Sequence, residues 1–183
     1  MQIQQEVAIK ANIKQFRLAP WVQEGSEIVS KLREFIKTGN GTILDELKLS
    51  GAVLGLKEGH NIVVTNGRNV LARLLAGDTT YTGKINYGAL GTGASPSPVN
   101  GSTQLQTEAY RKLASSYSSD QNIAYVDFFY AASDCNGTYT EFGNFIDGTG
   151  TANTGRMFSY IATGGWVKSG SESLFVSCQY TIN

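Results

Sequence analysis

The run Leu174-Phe175-Val176-Ser177-Cys178-Gln179-Tyr180-Thr181-Ile182 alternates strictly. Leu174, Val176, Cys178, Tyr180 and Ile182 take every second position, with Phe175, Ser177, Gln179 and Thr181 between them. A period of two marks a strand, because successive side chains point to opposite faces of a sheet. The alternation continues to within one residue of Asn183, which predicts a paired chain end.

Upstream of this run, Arg156 to Ile161 and Thr138 to Ile146 read as further strands. Leu113 to Ser118 and Ile123 to Tyr130 read as a hairpin around Ser119-Asp120-Gln121-Asn122. Ile85 to Leu90 is a short strand, and Gly91 to Ser102 is a loop carrying Pro96 and Pro98. Leu105 to Tyr110 fits either class. Ile62-Val63-Val64 reads as a buried strand, followed by one short amphipathic helix with Val70, Leu71, Leu74 and Leu75, closed by Gly77. No fixed-period repeat is present. Short strands with Gly-rich turns predict an all-β domain, specifically an antiparallel β-sandwich with one short helix.

Composition agrees with this reading. Gly, Ser, Thr and Asn make 65 of the 183 residues. Thr and aromatic residues suit strands, and Gly, Asn and Ser suit turns. Lys+Arg 15 cancels Asp+Glu 15, and 16% of residues are charged. That balance argues against a polycationic nucleic-acid binder. No apolar run reaches the roughly 18 residues of a spanning helix, so no membrane insertion is expected. Met1-Gln2-Ile3-Gln4-Gln5-Glu6 lacks the basic and apolar regions of a signal peptide.

The chain changes character near Gly59-His60. Residues 1–60 hold 15 of the 30 charged side chains, whereas 14 of the 19 aromatics lie between Tyr110 and Tyr180. Two parts are therefore expected: an N-terminal attachment or assembly arm over 1–60 and a β-sandwich domain over 61–183. In the arm, Val7, Ile9, Ala11 and Ile13 alternate as in a strand. Ile28, Val29, Leu32, Phe35 and Ile36 then line one face of a helix that ends at Gly39-Asn40-Gly41. Ile28, Leu32, Phe35 and Ile36 are the expected interface, packing on another subunit or on the main domain.

Motifs for chemistry are scarce. His60 is the sole histidine, which excludes His-rich metal clusters. Cys135 and Cys178 are too few for a zinc site, which wants four close ligands. Cys178 shares the apolar face of the last strand and reads as a buried, reduced thiol, with a Cys135–Cys178 disulfide as the alternative. Gly77-Asp78-Thr79-Thr80-Tyr81-Thr82-Gly83-Lys84 resembles a phosphate loop but follows a helix and lacks the hydroxyl residue after Lys84. Gly88-Ala89-Leu90-Gly91-Thr92-Gly93 has the dinucleotide glycines in the wrong order. The spacing of the carboxylates selects no catalytic pair, and Glu108 with Arg111 reads as a local ion pair. Asn40, Asn100 and Asn136 begin Asn-Gly-Thr/Ser triplets, which read as turns. Trp166, after Gly164-Gly165, is the best-placed aromatic for an interface or for stacking on a sugar, with a place in the core as its plainer reading. No catalytic residue, cofactor or metal is expected.

Three blocks carry a resemblance: Asn61-Ile62-Val63-Val64-Thr65-Asn66-Gly67-Arg68-Asn69-Val70-Leu71-Ala72-Arg73-Leu74-Leu75-Ala76-Gly77, then Tyr87-Gly88-Ala89-Leu90-Gly91-Thr92-Gly93, then Thr103-Gln104-Leu105-Gln106-Thr107-Glu108-Ala109-Tyr110-Arg111. In this order the chain over 61–183 resembles a family of small virion structural proteins of tailed bacteriophages, from the tail, baseplate or fibre region. Val126 to Phe129, Asn136 to Gly143 and Leu174 to Ile182 fit the family's later strands. The resemblance implies a non-enzymatic virion protein, assembled in the host cytoplasm, whose partners are other copies of itself and other virion proteins. A capsid decoration or head-fibre protein is the near alternative. A carbohydrate-binding or receptor-binding module, meeting a host surface glycan, is the alternative from another class.

Overall fold

The computed structural model describes residues 9–183; Met1 to Glu6 and Val7, used in the reading above, lie outside the described residues. The chain is mostly β. In order it runs β1 (Ile9–Leu18), α1 (Glu27–Thr38), α2 (Gly41–Leu49), β2 (Val53–Val63), α3 (Thr65–Leu75), β3 (Ile85–Gly91), β4 (Glu108–Leu113), β5 (Ser116–Asp120), β6 (Ile123–Tyr130), β7 (Gly137–Ile146), β8 (Arg156–Lys168) and β9 (Ser173–Ile182).

The strands form one nine-stranded sheet in the order β4-β3-β7-β8-β2-β1-β9-β6-β5, with antiparallel neighbours throughout. The sheet curls so that its two halves face each other. Ile13, Phe128, Val176 and Cys178 from one half pack against Leu90, Phe142, Ile161 and Trp166 from the other. Two places turn the corner. β2 bonds to β1 over most of its length, then to β8 at Ile62 and Val63. Between β4 and β5, the Ala114 N–H donates to the Asn86 carbonyl (2.9 Å) and the Ser115 N–H to the Asp127 carbonyl (2.7 Å). One short segment thus links the two ends of the strand order.

Where a separate arm over 1–60 was expected, residues 9–60 are built into the sheet and its helical cover. β1 lies mid-sheet, paired with β2 on one side and with β9 on the other from Ile9↔Ile182 to Leu18↔Ser173. The boundary expected near Gly59-His60 falls inside β2. Alternation in β1 serves two cores: Ala11 and Ile13 face the inside of the curl, and Phe16 and Leu18 face a second cluster outside it. That second cluster is where α1 packs. Val29, Leu32, Phe35 and Ile36 are buried there beside Phe16, Phe129 and Phe175, and Ile28 is half-buried. The expected interface helix therefore covers its own sheet. Each such side chain contributes about 1.5–3 kcal/mol by burial.

Local signals explain the helix ends. The Ser26 side chain caps α1, and Gly39, at φ 69°, closes it with its N–H on the Phe35 carbonyl. Asn40, expected in a turn, instead caps α2 by accepting from the Thr42 N–H at 3.1 Å. Among the described residues three helices are present, where one short domain helix and one arm helix were expected. Trp166 is 3% exposed and packs against Phe142 at 5.4 Å between ring centroids, so it belongs to the core and offers no surface for stacking.

Candidate functional site

A concave surface lies where β1 begins and β9 ends. There the two halves of the curl part. A cavity of about 490 Å3 opens between Ile9, Val126, Tyr180 and Ile182 on one side and Leu71, Ile85 and Phe158 on the other. A second, of about 880 Å3, shares Ile9, Leu71 and Ile182 with it and extends over Ile62, Val63, Leu74 and Leu75. The sequence builds this cleft through α3. Gly67 lets the helix sit directly on β8, since a Cβ there would meet the Phe158 carbonyl oxygen at 2.7 Å. Val70 is buried by that contact, while Leu75 remains 91% exposed and Ile182 49% exposed. Polar groups are few at the rim. Lys84 Nζ lies 4.3 Å from the Tyr117 ring centroid, and Arg68 donates to the Val63 carbonyl at 3.0 Å. Such a surface can bury apolar side chains of a partner.

The buried charged groups do different work, which is to hold loops. Glu141 is fully buried on β7. Its carboxylate accepts from the backbone N–H groups of Gly93 (2.9 Å), Gln106 (2.7 Å) and Thr107 (2.9 Å) and from the Tyr160 hydroxyl. Burial pushes its pKa up, but the Tyr160 hydroxyl and these three N–H groups outweigh that and hold the carboxyl below its ordinary value. The loop between β3 and β4 is thereby tied to the sheet.

Lys168 is the counterpart of opposite charge. Its ammonium donates to the carbonyls of Ala132 (3.0 Å), Asp134 (2.9 Å) and Ser169 (3.1 Å) and to Asn136 Oδ1 (3.2 Å), which fixes the turn between β6 and β7. Burial lowers its pKa. Glu108 and Arg111 form the ion pair expected from the sequence, with nearly inaccessible side chains. Arg111 also donates to the Thr149 and Thr154 carbonyls and so pins the loop between β7 and β8. Arg33 of α1 meets Asp127 of β6 at 2.8 Å, locking the helix to the sheet.

Both thiols are free. Cys178 is fully buried, accepts from Asn144 Nδ2 at 3.3 Å, and is pushed up to about 12 by burial. Cys135 is partly accessible beside Lys168 and Tyr139, and burial raises it too. His60 Nδ1 pairs with Asn12 Oδ1 at 2.6 Å on the exposed side of β1 and β2. Among the described residues, no group of three or more His, Cys, Asp or Glu could hold a metal ion, and no helix is long and apolar enough to cross a membrane.

The residues singled out from the sequence are therefore not gathered at one site. Leu32, Phe35 and Ile36 lie on the sheet-facing side of α1, with Ile28 half-buried beside them, and Trp166 lies in the inner core. The cleft-lining row of α3 was visible as an amphipathic pattern, but the side left open among the described residues was not, because apolar periodicity looks the same whatever faces it. Comparison with protein-family models, curated proteins and solved structures finds no match to this chain.

Proposed function

We propose that this chain is a non-enzymatic structural protein of a tailed-phage virion, from the tail, baseplate or fibre-attachment region, acting by oligomerisation and docking. The observation that supports this reading best is the apolar cleft at the open end of the curl, with Leu75 and Ile182 held out toward solvent. Burying each such side chain against a partner is worth about 1.5–3 kcal/mol. The loop-anchoring roles of Glu141, Lys168 and Arg111 fit the same reading, since a docking protein needs a rigid frame. The sequence resemblance over 61–183 supplies the virion context. We read the curled sheet as a β-sandwich whose corners are β2 and the β4–β5 bend.

Particles that carry this sequence provide the test. Mass spectrometry of purified virions is expected to find the wild-type chain and to lose it when Leu75→Glu is introduced in a chain that still folds. Absence of the wild-type chain from the particles, or undiminished incorporation of the variant, would overturn the reading.

A further inference from the structure

β2 and β8 meet only at Ile62↔Tyr160 and Val63↔Ser159, and then diverge. β2 keeps one edge bonded to β1 from Val53 to Asn61, and β8 keeps one edge bonded to β7. The facing edges, Leu54 to His60 and Ile161 to Val167, have no strand partner among the described residues. The divergence has a local cause. Tyr139 pairs with Trp166 but Glu141 pairs with Ala162, so β8 carries extra residues here. Gly164 (φ 65°) and Gly165 (φ 88°) supply the left-handed conformations of this bulge, which leads β8 away from β2.

Two cavities occupy the fork. One, of about 350 Å3, is lined by residues including Glu58, His60, Ile161 and Trp166. The other, of about 320 Å3, is lined by Gln15, Arg17, Gly55, Leu56, Lys57 and Val167. Gln15 is 1% exposed, and its Nε2 has no hydrogen-bond partner. A buried amide donor without a partner costs about 1–3 kcal/mol, so this site is short of an acceptor. Glu172 offsets Arg17 at 3.6 Å, while Lys57 reaches across the fork to the Gly165 carbonyl at 2.9 Å. The second cavity is thus rich in donors and net positive.

We propose that this fork is a strand-addition site for an extended acidic peptide segment of another protein. The segment's backbone pairs with the free edge of β2, and one of its carboxylates takes the donors of Gln15 and Lys57. A second copy pairing edge to edge about a two-fold axis fits less well. Such symmetry sets residues of like parity opposite each other, so Lys57 never faces Glu58. Lys57 and Glu58 on the edge also discourage indiscriminate pairing.

The probe is a fluorescent acetyl-Val-Glu-Val-Glu-Val-Thr-amide peptide, with the Lys-for-Glu peptide as its counterpart, titrated into the full chain. Saturable binding of the acidic peptide alone is expected, with new amide-exchange protection along Leu54–His60 and Ile161–Val167. Lys57→Glu, at an exposed side chain and in a chain that still folds, should weaken it about tenfold, the scale of one close charge pair. No binding, equal binding of both peptides, or protection confined to the cleft at Ile9, Leu71 and Ile182 would each overturn the proposal.

Discussion

Glu141 sits at the centre of a fully satisfied cluster, and its replacement has a calculable sign. Its folded pKa lies below the ordinary value because the Tyr160 hydroxyl and three N–H groups outweigh burial. A depressed carboxylate stabilises the fold above its unfolded pKa, about 4.3, and loses that contribution as pH falls through the folded value. Glu141→Gln leaves donors of the β3–β4 loop facing an amide N–H, at a cost of about 2–3 kcal/mol at neutral pH. It should also flatten the acid limb of stability against pH, measured by urea unfolding at a series of pH values. An acid limb parallel to wild type would show that Glu141 is not the linked group. The thiols separate in the same way. Native protein should be modified first at Cys135, while Cys178, fully buried and raised to about 12, reacts only on unfolding. Peptide mapping after brief alkylation reads this directly, and early label on Cys178 would contradict it.

The C-terminal strand shows what a sequence pattern can and cannot say about an element. Its alternation gives the strand and its inner face: Leu174, Val176, Cys178 and Tyr180 all line the inner core. The alternation leaves open whether the opposite face is covered; Phe175 and Ser177 are buried there, and Ser177 stands beside Asp127 in register. What covers that face is α1, brought in from the other end of the chain through Arg33 and the Phe16–Phe35 contact. Ser and Thr carry no mark of such a cover. Val176→Asp and Ser177→Asp are therefore both expected to abolish soluble expression, the first by an unpaired charge in the core and the second by a carboxylate next to Asp127. Thr181→Asp, half-exposed and opposite Lys10, should express normally. Wild-type yield and melting temperature for Ser177→Asp would mean that α1 does not cover the sheet. β8 was read short, to Ile161, because Gly164-Gly165 looks like a strand end when it is a bulge.

For the whole molecule, charge and aromatic distribution suggested two parts where the strand order makes one. Of the 15 charged side chains of residues 1–60, eight lie on α1 and α2 and five on β1 and β2, so their density follows elements within the fold and not a boundary. β1 sits between β2 and β9, which no local pattern can reveal. Deleting residues 1–60 removes β1 and most of β2, and the remainder is expected to be insoluble or unfolded by circular dichroism; a folded truncated chain would show that β1 is dispensable. The cleft was equally illegible, because among the described residues it is defined by what faces α3 in space and not by any local pattern. The proposal that it is a docking surface is tested most directly by molar mass. Light scattering across a concentration series should show the wild-type chain associating reversibly, and the Leu71→Glu/Leu75→Glu chain folded but monomeric at every concentration. A wild-type chain that stays monomeric throughout, or a double variant that associates as wild type does, would contradict docking through the cleft.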